Sequence, residues 1–159
     1  MIIRLATLAG AGELADLINR IIVLGGTTAH QEPFRIKAFT DHSLTAPGVR
    51  CCHMAERDGR ALGFQPVGPG DRLPSDWLKI ETFVAPGLQG QGIGQGLFAA
   101  TVAAARAGGF RSIAAVIRAD NVPGLAYHSR LGFHDYDRNP AWALKDRRVV
   151  GRVSKRFDP

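Results

Sequence analysis

Five of the ten residues from Gly87 to Gly96 are glycine, and they follow an apolar, β-branched run that ends at Val84 in a Pro-Gly turn. A helical pattern begins immediately afterwards. Glycines let a backbone approach an anion without a Cβ in the way, and the first turn of a helix supplies unpaired N–H groups and the positive end of its dipole. The chemistry this spacing supports is phosphate binding. A mononucleotide loop of the Walker type needs Gly-Lys followed by Ser or Thr, whereas Gly94 and Gly96 are followed by Gln95 and Leu97. ATP and GTP are therefore not the expected ligands. The glycines at 90, 92, 94 and 96 never give the Gly-x-Gly-x-x-Gly spacing of a dinucleotide site either, which sets NAD and FAD aside.

What the loop does match is Gln89-x-x-Gly92-x-Gly94. This resembles the acetyl-coenzyme A loop of the GNAT superfamily of N-acetyltransferases, Arg/Gln-x-x-Gly-x-Gly/Ala, whose backbone amides hold the cofactor pyrophosphate. A second match lies downstream. Ser112 to Arg118 reads as a strand that runs into Asp120-Asn121, a short helix and then Leu131-Gly132-Phe133, so the resemblance spans Trp77 to Asp137. It implies acetyl-CoA as co-substrate, with Gln89, Gly90, Gln91, Gly92, Ile93, Gly94, Gln95 and Asn121 as cofactor contacts. Backbone groups of Phe83 and Val84 are expected to bond the pantetheine arm and polarise the thioester carbonyl.

Acyl transfer from a thioester to an amine needs a neutral amine, a donor for the developing oxyanion and a proton for the leaving thiolate. A free ammonium has a pKa of about 10, so something must take its proton. In enzymes this chain resembles, the amine attacks acetyl-CoA directly, so Cys51 and Cys52 are not expected as nucleophiles. Counting back from the Leu-Gly-Phe turn, the position usually held by tyrosine is His128, with Tyr127 one residue earlier. Relatives in the phosphinothricin acetyltransferase group carry histidine there, so His128 is the expected leaving-group acid and Tyr127 the alternative. Glu81 is the expected general base, because carboxylates in this strand serve so in some relatives. Thr28, His30 and Glu32 fall in a loop that borders the acceptor site in the superfamily. His42 and His53 show no partner pattern, and no histidine pair has metal-ligand spacing, so no metal is implied.

The elements that must position these residues follow from periodicity. Ile2 to Ala6 reads as a strand; Gly12 to Leu24 places Leu14, Leu17, Ile18, Ile21 and Ile22 on one helical face. A polar loop, Thr27 to Pro33, precedes a second helix around Phe34 to Asp41. Val49 to Glu56 and Ala61 to Val67 read as a hairpin with Asp58-Gly59 as its turn. Trp77 to Val84 reads as one strand feeding the loop, and the alanine-rich helix behind it ends at Gly108-Gly109. Val149 to Phe157 reads as a last strand. The predicted architecture is α/β (α+β), a single GNAT-like domain over residues 1–159. Its sheet is mixed, mostly antiparallel, of six to seven strands with four flanking helices.

Composition bounds the function classes. The chain of 159 residues carries a net charge of +6, of which residues 138–159 hold +5. That basic segment has only isolated aromatics, Trp142 and Phe157, so it reads as a solvated face and not as a nucleic-acid site. No apolar run is long enough to span a bilayer, and no secretion signal is legible, so no membrane partner and a cytoplasmic location are expected. Two adjacent cysteines, Cys51 and Cys52, make neither a disulfide framework nor a CxxC site. The expected activity is acetylation of a primary amine of a small molecule, amino acids or amino-acid-like compounds first. A catalytically silent acyl-CoA sensor or scaffold and an acetyltransferase of a protein amine stand as alternatives. A homodimer is left open.

Overall fold

The computed structural model describes residues 1–159. Its sheet contains eight strands: β1 (Ile2–Leu5), β2 (Cys51–Arg57), β3 (Arg60–Gly68), β4 (Trp77–Ile80), β5 (Phe83–Val84), β6 (Ser112–Arg118), β7 (His134–Asn139) and β8 (Arg152–Phe157). Four helices flank it: α1 (Ala11–Leu24), α2 (Ile36–Ser43), α3 (Ile93–Ala107) and α4 (Val122–Arg130). The strand order is β1-β2-β3-β4-β6-β8-β7, with β5 beside β3. Only β4 and β6 run parallel. No helix is long and apolar enough to cross a membrane.

Alternation along β2 assigns the two faces. Cys52 and Met54 join Phe64 and the buried stripe of α1, Leu14, Leu17, Ile18 and Ile21, in one apolar cluster. Ala55 turns the other way, onto Ile93 and Leu97 of α3. A third cluster joins Phe98 of α3 to Ile113, Ile117 and Phe133 across β6. Burying each such side chain contributes about 1.5–3 kcal/mol, which is why α1 needs no side-chain cap to form.

Two strands end differently from the sequence expectation, and the first difference makes the site. The run Trp77 to Val84 is not one strand: β4 stops at Ile80, Glu81 and Thr82 leave the ladder, and β5 resumes for two residues. β4 pairs with both β3 and β6, but β5 pairs with β3 alone. The sheet therefore splays open between β5 and β6. The last strand begins at Arg152 and not Val149, because Gly151 adopts a positive φ of 71° and Val149 makes only an isolated bridge to Ala143.

Candidate active site

The floor of the splay is β5. The Ala85 N–H bonds to the Leu62 carbonyl, and Gly63 stands opposite Val84. Antiparallel alternation then gives Phe83 to β3 and turns the Val84 N–H and carbonyl to the open edge. Of the two residues expected to offer backbone groups, Val84 has its own turned to the open edge. Phe83 does not, because its carbonyl faces β3 and its ring is buried against Phe64, with centroids 4.9 Å apart.

The glycine loop lies at the end of β5. Gln89 folds its side chain back so that Oε1 accepts from the Gly87 N–H at 2.9 Å. Gly90 and Gly92 take positive φ values of 79° and 80°, with only open space where a Cβ would stand. Gly92 caps α3 without a side-chain acceptor, so the amides of the first turn, Ile93, Gly94 and Gln95, have no capping partner. Gln91 and Gln95 are exposed at its rim, while the Ile93 side chain is core. This cradle fits a diphosphate: several amides and a helix dipole converge where no side chain intrudes. Gly94 has another purpose than the sequence suggested. A Cβ there would come within 2.8 Å of the Tyr127 hydroxyl, beneath the loop and not on its phosphate side.

Tyr127 and His128 share α4 but face different surroundings. His128 is buried; its Nδ1–H donates to the Gly124 carbonyl at 2.8 Å and its ring packs edge-on against Phe133. Burial, with the Lys155 charge adding to it, lowers its pKa against the opposing Gly124 bond. A neutral imidazole has one N–H, and this one is already bonded to the backbone, so His128 has no proton to offer the cleft. The expectation that His128 is the acid is corrected on that ground. Tyr127 instead points toward Gly94 and Thr82. Its hydroxyl is buried and has no hydrogen-bond partner. Burial pushes the phenol up to about 12, opposed by the nearby Thr82 hydroxyl.

Glu81, released from the ladder, is surrounded by two imidazoles and an ammonium. His30 Nε2 lies 3.0 Å from its Oε2, His42 Nε2 4.0 Å from the same atom, and Lys79 Nζ 3.1 Å from Oε1. Burial alone would raise its pKa, yet bonds from His30 and His42 and the Lys79 charge hold it well below the usual carboxylate range. Phe34 and Phe83 wall the cluster, their rings 5.1 and 6.2 Å from His30. The three ligand atoms of His30, His42 and Glu81 lie within 4.8 Å of one another, a donor set that no sequence spacing revealed. The Lys79 ammonium bonded to the same carboxylate opposes a cation there.

Of the other expected acceptor contacts, the structure brings in His30 and diverts the rest. Thr28 is buried; its Oγ1 accepts from the His30 N–H and its carbonyl accepts from Arg118. Glu32 points to solvent in an ion pair with Lys145. Asn121 is engaged within the chain: Oδ1 caps α4 through the Gly124 N–H, and Nδ2 donates to the Thr27 carbonyl at 2.9 Å, so the amide ties α4 to the loop after α1. Sequence reasoning missed His42, Lys79, Thr82, Phe34 and Arg152. The last stacks its guanidinium 3.9 Å over the Trp142 ring, with a buried, unpartnered Nε and an electrostatic link to Glu81.

The family model for the acetyltransferase (GNAT) family matches residues 18–133, which includes the loop, the splay and the Leu-Gly-Phe turn. The chain belongs to the GNAT family. It is an acetyl-CoA-dependent N-acetyltransferase. It is 29% identical over 133 residues to phosphinothricin N-acetyltransferase of Streptomyces viridochromogenes, covering 82% of this chain and 73% of that one. Among solved structures, it resembles a GNAT superfamily phosphinothricin acetyltransferase from Sinorhizobium meliloti in complex with acetyl-CoA. The TM-score is 0.84 at 21% identity, over 99% of this chain and 87% of that one. It also resembles the ribosomal-protein-alanine N-acetyltransferase of Brucella melitensis, with a TM-score of 0.88 at 21% identity over the whole of both chains.

The ion cluster of this acetyltransferase gives a pH-dependent stability. Through a side-chain bond the Glu81 carboxylate raises the His42 pKa above 6.5 against partial burial, so that contribution is fully present below about pH 6.5 and is lost as pH rises through the folded value. The Glu81 contribution, from a depressed pKa, is present above 4.5 and is lost as pH falls through its lower folded value. His42→Gln should therefore lower Tm by about 1–2 °C between pH 5 and 6, with the difference shrinking as pH rises through the folded His42 value. Melting curves across pH check this; a difference that grows with pH would contradict the pairing.

Proposed function

We propose that residues 1–159 act as one acyltransferase domain that acetylates the primary amine of a small molecule carrying a carboxylate, an amino acid or a close analogue. The observation that carries this reading is the charge layout of the acceptor side. The Glu81 carboxylate and the Lys79 ammonium are paired with each other, a pair that the ammonium and carboxylate of one zwitterion can divide between them, and the Arg152 guanidinium with its unpartnered Nε adds to the positive side. The likeness to the phosphinothricin acetyltransferases supports the same class. The fold by itself does not select the acceptor, since a ribosomal-protein-alanine acetyltransferase shares it. The basic C-terminal segment supports no nucleic-acid role, because Lys145, Arg148, Lys155 and Arg156 are engaged in ion pairs with this chain's own carboxylates.

In this reading the loop amides from Ile93 to Gln95 hold the diphosphate and the Val84 backbone aligns the arm that carries the thioester. The acceptor's nitrogen forms a bond to the acetyl carbon as the carbon–sulfur bond breaks, Tyr127 gives its phenolic proton to the departing sulfur, and the second proton that the nitrogen sheds on becoming an amide returns to Tyr127 through water. Glu81 binds the incoming ammonium and receives its proton, which leaves through His42, the more exposed imidazole of the cluster. Tyr127→Phe should slow acetyl transfer about 10- to 100-fold at unchanged acetyl-CoA affinity, while His128→Phe should cost stability more than turnover. Release of free thiol against an amine panel tests the acceptor class. Amino acids should exceed their decarboxylated amines by about tenfold or more in kcat/KM, and Arg152→Gln should erase that preference. Equal use of both sets would remove the carboxylate from the proposal.

A further inference from the structure

The loop after α1 carries one member of the Glu81 cluster, His30, while its other polar groups are tied to the C-terminal half of the chain. Asn121 Nδ2 donates to the Thr27 carbonyl, Arg118 Nη1 donates to the Thr28 carbonyl at 3.1 Å, the Lys145 N–H donates to Gln31 Oε1 at 2.8 Å, and the Lys145 ammonium pairs with Glu32. The chain enters the loop through Gly25 and Gly26, both at positive φ, and leaves it at Phe34, whose N–H and carbonyl are both bonded to the Asn19 amide of α1. Between these anchors His30 Nε2 lies 3.0 Å from Glu81 Oε2.

The four ties are not equal. Those of Asn121 and Lys145 are exposed, where water replaces a lost partner at little cost. Arg118 and Thr28 are 5% and 8% exposed, so a carbonyl that lost its partner there would stay unpaired. A guanidinium is also among the costliest groups to bury, and for packing alone an apolar residue would serve at the end of β6. Asp120 neutralises it through two bonds, from Nε at 2.8 Å and Nη2 at 2.6 Å, which leaves the third nitrogen, Nη1, for the loop. Thr28 passes the constraint on, because its carbonyl is held by Arg118 while its Oγ1 accepts from the His30 N–H at 3.1 Å. Three hydrogen bonds thus run from a buried charge to the Glu81 carboxylate, Arg118 to Thr28, Thr28 to His30 and His30 to Glu81.

We infer that Arg118, acting through Thr28, is a positioning residue for the Glu81 cluster: it fixes the backbone of the loop that holds His30, and through His30 the Glu81 carboxylate, in place for the acceptor's ammonium. The inference rests on the reading of Glu81 as the group that meets that ammonium. No proton travels along this line and no bond in it is made or broken; its effect is on where a carboxylate oxygen stands. The amine side of the reaction therefore depends on Arg118, and the cofactor side does not.

Arg118→Met should lower kcat/KM for the amine about tenfold at unchanged KM for acetyl-CoA, and Arg118→Lys, which keeps a charged donor, should recover most of the loss. Thr28→Val keeps the shape of the side chain and removes its hydroxyl, so it should have a similar effect with the buried charge intact, and Thr28→Ser should restore the native rate. A cycle with His30→Ala separates positioning from general damage: with the imidazole gone, neither Arg118→Met nor Thr28→Val should slow the amine further. Independently of turnover, the His30 amide should exchange its hydrogen about tenfold faster in Arg118→Met, with the amides of α1 unchanged. Equal slowing with and without His30, a native rate in Thr28→Val, or an unmoved His30 amide in Arg118→Met overturns the inference, and if Arg118→Met does not fold, Thr28→Val decides it. If Glu81→Gln has native kcat while the His30 amide still exchanges faster in Arg118→Met, the reading of Glu81 falls and the hold of Arg118 on the loop stands.

Discussion

A folded Gly92→Val protein should bind coenzyme A at least about 10²-fold more weakly than the native chain, with its melting temperature changed by only a few degrees. Gly92 is exposed and its φ of 80° lies in the left-handed region, which a β-branched residue resists by about 1–2 kcal/mol. The substituent would project into the open space in front of α3. Relief of that strain turns the loop amides apart, and each charge-assisted bond lost from a diphosphate is worth about 1.5–3 kcal/mol. Gly94→Val should act differently. Its Cβ would press on the Tyr127 hydroxyl and ring, at 2.8 and 3.0 Å, so packing and stability suffer together with turnover. The two glycines, expected from sequence as equal cofactor contacts, thus differ in what their missing Cβ protects. Calorimetric titration with coenzyme A, paired with melting curves, separates the two. Native affinity in Gly92→Val would remove the loop from the cofactor site.

Glu81→Gln should lower kcat by about 10²-fold or more while leaving acetyl-CoA affinity unchanged. The amide keeps the shape of the side chain and removes the charge that draws an ammonium into the aromatic-walled cluster. Because the native carboxylate is held well below its usual range, its own protonation does not produce an acidic limb near neutral pH. The His42 imidazolium, raised by its bond to Glu81, does. In Glu81→Gln that support is gone, so the limb should move to lower pH as activity falls. A variant with native kcat would assign proton removal to water or another group.

The most legible parts of this protein are those whose chemistry is local. The loop from Gly87 to Gly96 announces itself because left-handed backbone and an open helix N-terminus both select glycine at the position concerned. Likewise α1 is visible from its apolar stripe, and the β2–β3 hairpin from Asp58-Gly59, where both residues take positive φ. The break in the strand at Glu81 and Thr82 is less visible. β-branched residues continue across it, and what ends the ladder is that β5 follows β3 while β6 diverges, a matter of two other strands.

The register of α4 shows the limit most directly. Tyr127 and His128 are neighbours, a helix turns them about 100° apart, and counting from the Leu-Gly-Phe turn favoured the histidine. Where each one packs is set by where α4 rests: the core holds His128 against Phe133, and Gly94, two elements away in chain order, leaves room for the Tyr127 ring. Asn121 and Glu32 were similarly read by position, and each was claimed by a partner brought in from elsewhere in the chain, Thr27 and Lys145. His30, His42 and Lys79 come from a loop, a helix and a strand, so no spacing could pair them with Glu81. The sequence by itself determined the family, the co-substrate and the form of the glycine loop, because backbone requirements are written residue by residue. Tertiary structure alone decided how Tyr127 and His128 pack and which charges gather around Glu81, because those depend on packing between segments that no periodicity connects.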